Sequence, residues 1–265
     1  MTEAALRPAV IALAGGLREA RTQRGISLRQ LADMVDLNPS VLSSFELGHR
    51  APEDTTVAHI LGVLRTPYTV REHLIYLARR SHDRDLIDRA GRAEDLLHTA
   101  FERRSARVTE WSPSLVPEAL QTAEYARALR DTGLFAPEDA DVGCLLRTAR
   151  QLALPDKTGT QYAFLMGEAA TRLDTCTADV LRDQLDQLRA WTRRPRISVR
   201  LVPSANCPPG LVEPFTLYER RTGAFAVAVR NRLGGALYLT NPAALTTYEQ
   251  AAQGLRRHAI ENAWP

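Results

Sequence analysis

The sequence predicts a two-part fold, an all-helical N-terminal region followed by an α+β region with a small, mainly antiparallel sheet. Three observations carry that prediction. From Pro8 to Leu64 apolar residues recur at three- and four-residue intervals, with capping residues at each break. Alternation of period two appears only beyond "LPDKTGT", in "QYAFLMGEA", "RISVRLVPS", "PFTLYER" and "AFAVAVR". The 265 residues, 45% apolar and 25% charged, have the composition of an ordered chain with enough material for a substantial core.

The first helix spans Pro8 to Arg24, with Leu13 and Leu17 four apart, and ends before Gly25. Ser27 is placed as an N-cap, and Gln30 three residues on completes a capping box. Leu31, Ala32 and Val35 form the apolar stripe of a short second helix that stops at Asp36, and Leu37 joins the same core. Asn38 caps a third helix, and Pro39 occupies its first position, where a missing N–H costs nothing. This third helix runs to about Leu47 with Leu42 and Phe45 inward and Gly48 as terminator. Val57, Ile60, Leu61 and Leu64 mark a fourth.

"TPYTV" is a joint, after which Thr69 and Glu72 offer a second capping box and the pattern stays helical and arginine-rich from Arg71 to Thr109. "WSPSLVP" breaks it with an extended, turn-containing path. A helix bearing Leu120, Tyr125, Ala126 and Leu129 follows, then one from Pro137 to Ala153. After the strand in "QYAFLMGEA", Thr177 to Thr192 is helical, and three further strands precede "GALYLT" and a terminal helix opened by Pro242. The expected division is residues 8–65, a helical connector at 66–110, and an α+β domain at 111–265.

Several function classes are disfavoured. The apolar run "PAVIALAGGL" is about half the length that a membrane span needs, and its flanks do not suit a signal peptide. Cys144, Cys176 and Cys207 are odd in number and far apart, which argues against a disulfide framework and for a cytoplasmic location. No histidine or cysteine pattern supports a metal, no motif calls for a cofactor, and no acid/base cluster nominates a catalytic residue. The formal charge of +3 leans towards an anionic partner without demanding one.

The turn between the second and third helices holds one against the other at a steep angle, with small Ala32 permitting close approach. That leaves a short polar face on the third helix: Pro39, Ser40, Ser43 and Ser44, with Val41 partly exposed. Such a helix fits the major groove of double-stranded DNA, where serine meets several base edges and Val41 a thymine methyl. Helix N-termini at Ser27 and Asn38, with Arg29, His49 and Arg50 beside them, are the expected phosphate contacts. Glu46 has the wrong charge for phosphate and is expected to tie the unit together through an arginine. The plain alternative is a generic helical hairpin.

"GISLRQLA" from Gly25 and "SVLSSFELG" from Ser40 resemble the helix-turn-helix of Xre/Cro/C1-type repressors, which implies a lambda-repressor-like domain over residues 14–65. Leu28 stands where many members carry a glutamine that holds a phosphate or flanks a base, leaving that contact to Arg29. The remainder resembles large actinobacterial regulators that join this motif to an effector-like domain, DUF5753, and that are described as antitoxin-like relatives of the Scr1 type. The matching segments begin at Phe101, Leu181, Ile197 and Gly234. Arg230 lies where many relatives have an acid. The resemblance implies a small companion protein encoded nearby.

In the second part, Trp111, Gln121 and Tyr125 either line a ligand or partner cleft or help pin the proline-bounded segment to the core. Cys207, in "PSANCPPG", invites a thiol test but has no histidine nearby in sequence to act as its base. Arg189, Arg193, Arg194, Arg196 and Arg200 form an acid-free run suited to DNA, to an acidic protein, or to the solvated end of a helix. The leading expectation is a homodimeric, sequence-specific transcriptional regulator whose second domain receives a partner or small-molecule signal. The rival is an antitoxin-like protein that binds its companion and uses DNA binding for autoregulation.

Overall fold

A computed structural model describes residues 7–88, 93–132, 159–172, 176–207, 211–230 and 235–261. The helix expected from Pro137 to Ala153 lies outside them. The chain divides into two compact units, Met1–Phe101 with Leu237–Pro242, and Glu102–Ala236 with Ala243–Pro265.

The first unit opens with α1 (Pro8–Gln23), α2 (Leu28–Met34), α3 (Pro39–Glu46), α4 (Asp54–Val63) and α5 (Tyr68–Arg79). Every expected start signal as far as α3 is realised. Ser27 Oγ accepts from Gln30 N–H while Gln30 Oε1 accepts from Ser27 N–H, closing the capping box, and Asn38 Oδ1 accepts from Ser40 N–H. Asp36 ends α2 in the left-handed region at φ 52°, a conformation its short polar side chain tolerates. Gly48, at φ 69°, does the same after α3. Leu13, Leu17, Leu31, Ala32, Leu42, Ile60, Leu61 and Leu74 are buried, so one core joins all five helices.

Two expectations fail here. The capping box at Thr69 does not form: Pro67, held at φ −53° and ψ 145°, takes the N-cap position, so α5 begins one residue before Thr69. The pattern from Arg71 to Thr109 is not continuously helical. It contains α5, a short strand β1 (Leu86–Asp88), α6 (Glu94–Glu102) and the strand β2 (Arg107–Ser112).

The second unit is built on β2, β3 (Gln161–Gly167), β4 (Ile197–Val202), β5 (Phe215–Arg220) and β6 (Gly223–Arg230). β7 (Ala236–Leu239) and β8 (Ile260–Glu261) come later in the chain. Within this unit the strand order is β6-β5-β2-β3-β4-β8. Antiparallel pairs (β5–β6, β2–β5, β4–β8) outnumber the parallel pairs β2–β3 and β3–β4. The helices are α7 (Ala123–Asp131), α8 (Ala178–Thr192, capped by Thr177) and α9 (Pro242–His258).

Beyond the parallel strands the backbone is drawn tight. A Cβ at Gly167 would lie 2.0 Å from the Pro113 carbonyl oxygen, so only glycine allows the end of β3 to pass beneath the proline-bounded segment.

Candidate nucleic-acid interface

α3 is positioned by its apolar face and by one ion pair. Leu42 and Phe45 are buried, and so is Glu46, the single acid on the helix. Arg21 of α1 grips that carboxylate with two parallel bonds, Nε to Oε1 at 2.7 Å and Nη2 to Oε2 at 2.8 Å. Its remaining nitrogen, Nη1, donates to the Ile26 carbonyl at 2.8 Å, so one side chain clamps α3 to α1 and to the turn before α2. The Glu46 hydrogen bond raises the Arg21 pKa above the ordinary guanidinium range, against the opposing pull of burial. An arginine partner for Glu46 is as expected, and nothing in the spacing of the five arginines between Ala14 and Arg50 singles out Arg21.

The opposite face of α3 is open. Ser40 is exposed, while Pro39, Val41, Ser43 and Ser44 are half-buried. The serines differ in what they have left to offer. Ser40 Oγ donates to Asn38 Oδ1 at 2.7 Å, and Ser44 Oγ donates to the Val41 carbonyl at 2.6 Å, so both retain mainly acceptor capacity. Ser43 makes no side-chain hydrogen bond among the described residues, which makes it the serine best able to donate to a base edge.

Around this face Ser27, Arg29, Asn38, His49 and Arg50 are all exposed. The Ser27 N–H is taken by the Gln30 side chain and the Gln30 N–H by Ser27 Oγ, so the donors remaining at the start of α2 are the N–H groups of Leu28 and Arg29. Arg50 lies over the Phe45 ring, 6.0 Å from its centroid, which restrains its guanidinium next to the C-terminal end of α3.

The other nominated group has the reverse character. Trp111, Gln121 and Tyr125 are all buried, and their polar atoms hold backbone. Trp111 Nε1 donates to the Leu211 carbonyl at 3.1 Å, Gln121 Nε2 to the Val116 carbonyl at 2.8 Å, and Val116 N–H to Tyr125 Oη at 3.2 Å. Gln184 of α8, not singled out from sequence, completes the arrangement. Its Oε1 accepts from Thr122 N–H at 2.8 Å and its Nε2 donates to the Leu120 carbonyl at 2.9 Å. These bonds tie the proline-bounded segment to its neighbours and leave the three side chains buried. Cys207 is half-buried, and burial raises its thiol pKa, which leaves less of the nucleophilic thiolate at neutral pH.

In the arginine run, Arg189 pairs with Asp186 at 2.6 Å, Arg200 pairs with Glu261 at 2.6 Å, and Arg194 stacks on Trp191 at 4.2 Å. Among the described residues no group of three or more His, Cys, Asp or Glu is arranged to hold a metal, and no helix is long and apolar enough to cross a membrane.

Residues 17–70, which include α2 and the outward polar helix α3, match the family described as Helix-turn-helix, and that match points to a DNA-binding regulator. Residues 96–263 match the domain of unknown function DUF5753, and because that match spans well over half of the sequence, the chain belongs to the DUF5753 family. No curated protein and no solved structure matches it.

Proposed function

We propose that the protein is a sequence-specific transcriptional regulator that binds double-stranded DNA as a homodimer and acts in the cytoplasm. Residues 8–65 read the DNA, 66–110 connect, and 111–265 dimerise and receive a partner protein or small-molecule signal. The observation that carries this reading is the open polar face of α3, bordered by exposed Ser27, Arg29, Asn38, His49 and Arg50. Dimerisation follows from the modest readout that serines provide. A single short helix discriminates weakly, whereas two half-sites about one helical turn apart join their binding free energies.

Selection of bound duplexes from a random library by the full chain tests the proposal. Enrichment of a two-fold symmetric sequence is the expected result. Equal retention of all sequences across a salt titration would remove sequence-specific binding. Co-purification of a small companion protein whose loss alters growth, with DNA binding confined to the protein's own promoter, would favour the antitoxin-like role.

A further inference from the structure

In the second unit, strand direction gathers arginines that are distant in sequence. β2, β3 and β4 run parallel, with Arg107 opposite Gln161 and Tyr162 opposite Ile197, so their N-terminal ends share one end of the sheet. Antiparallel β5 brings Glu219 opposite Arg107, which puts the β5–β6 turn at that same end. Residues 102–107 and 193–196 contribute three arginines each, and residues 219–223 two more. With strands about 4.8 Å apart, the step from β5 to β4 is roughly 14 Å wide.

Among the described residues of these segments, this charge is not balanced by free acids. The acids of these segments, Glu102 and Glu219, are already engaged, the first by Tyr162 Oη at 2.6 Å and the second by Arg256 at 2.5 Å and Thr109 Oγ1 at 2.7 Å. Among the described residues Arg103, Arg193 and Arg221 are exposed and form no ion pair, and exposed Arg107 donates to neutral Gln161, at 3.0 Å, and to no acid. Arg104 has its pKa lowered by burial and further by Arg220 and Arg103, so like charges face one another here.

We infer that this end of the sheet is a second DNA contact, a sequence-independent cradle for phosphates whose charge comes chiefly from Arg103, Arg107, Arg193 and Arg221. A protein partner fits less well. Protein interfaces are anchored by buried apolar and aromatic residues, and no large exposed apolar residue of the described chain falls in these segments. Phosphates need only charge and the guanidinium fork. Some arginines at this end also serve the fold, Arg194 on Trp191 and Arg220 on the Phe225 ring at 4.6 Å, and are therefore left out of the test.

The inference rests on the DNA-binding reading, and the experiment separates the two. Binding of the full chain to a mixed-sequence duplex and to its selected duplex is followed by anisotropy across a KCl series, for the wild type and for Arg103→Gln/Arg107→Gln/Arg193→Gln/Arg221→Gln. The expected variant binds both duplexes at least about tenfold more weakly at low salt, with a log–log salt slope shallower by about 2–4, the ratio between the duplexes unchanged, and an unaltered thermal transition. If the wild type binds no duplex, the regulator reading fails. If it binds and the variant matches it in affinity and slope, the cradle alone is refuted. An unchanged DNA slope with lost binding to polyglutamate assigns this end of the sheet to an acidic polypeptide and overturns the DNA contact.

Discussion

α3 and the segment from Trp111 to Tyr125 are both rich in groups able to bond a ligand, and the two treat those groups in opposite ways. On α3 Leu42, Phe45 and Glu46 turn inward, leaving Ser40 exposed and Ser43 without a side-chain hydrogen bond among the described residues. In the later segment Trp111, Gln121 and Tyr125 turn inward and bond the surrounding backbone. A polar residue among apolar ones is therefore ambiguous until its partners are known. Buried amides and hydroxyls that satisfy backbone make a segment rigid, whereas similar groups on an open helix remain available to another molecule.

The contrast can be broken by exchange of effects. Trp111→Ala should give the largest loss of stability, about 3–5 kcal/mol, read by denaturant unfolding, with no change in which DNA sequence the folded fraction prefers. A preserved transition would show that the segment is not pinned as described. Glu46→Gln comes next at about 3 kcal/mol, because the half-buried Arg21 guanidinium loses its counter-charge. It should lower DNA affinity as well, since α3 loses its clamp. Gln184→Ala removes the partners of Thr122 N–H and the Leu120 carbonyl and should cost about 1–3 kcal/mol, visible as faster proteolysis near residues 115–122. Ser43→Ala is the smallest in stability, within about 0.5 kcal/mol, yet it should shift base preference a few-fold in a competition assay. A Ser43→Ala protein with wild-type preference would move the reading function off that side chain.

The helix-turn-helix was legible because its signals are local. Ser27 with Gln30, Asn38 with Pro39, and Gly48 each act within a few residues, and all three work as expected. The failures came where distant chain decides. Arg107 to Thr109 closes an arginine-rich run of helical pattern, but pairing with Gln161–Met166 and Phe215–Glu219 makes Arg107–Ser112 a central strand. Thr69 failed because Pro67 had already fixed the start of α5. The polar face of α3 could be read from helical spacing, whereas the Arg21–Glu46 clamp and the Gln184 bridge join residues whose separation carries no periodic signal. The arginine end of the sheet was hidden for the same reason, since parallel strand order brings residues 103–107 beside 193–196.

The meeting of Gly167 with Pro113 links two stretches of chain that share no sequence signature. Because the fit admits a hydrogen and no carbon, Gly167→Ala has to lift the loop above it or bend the strand below. A lesion at the tip of one strand would thus first be noticed as a protease cut in another part of the polypeptide, and the two stretches can drift over evolutionary time only in step.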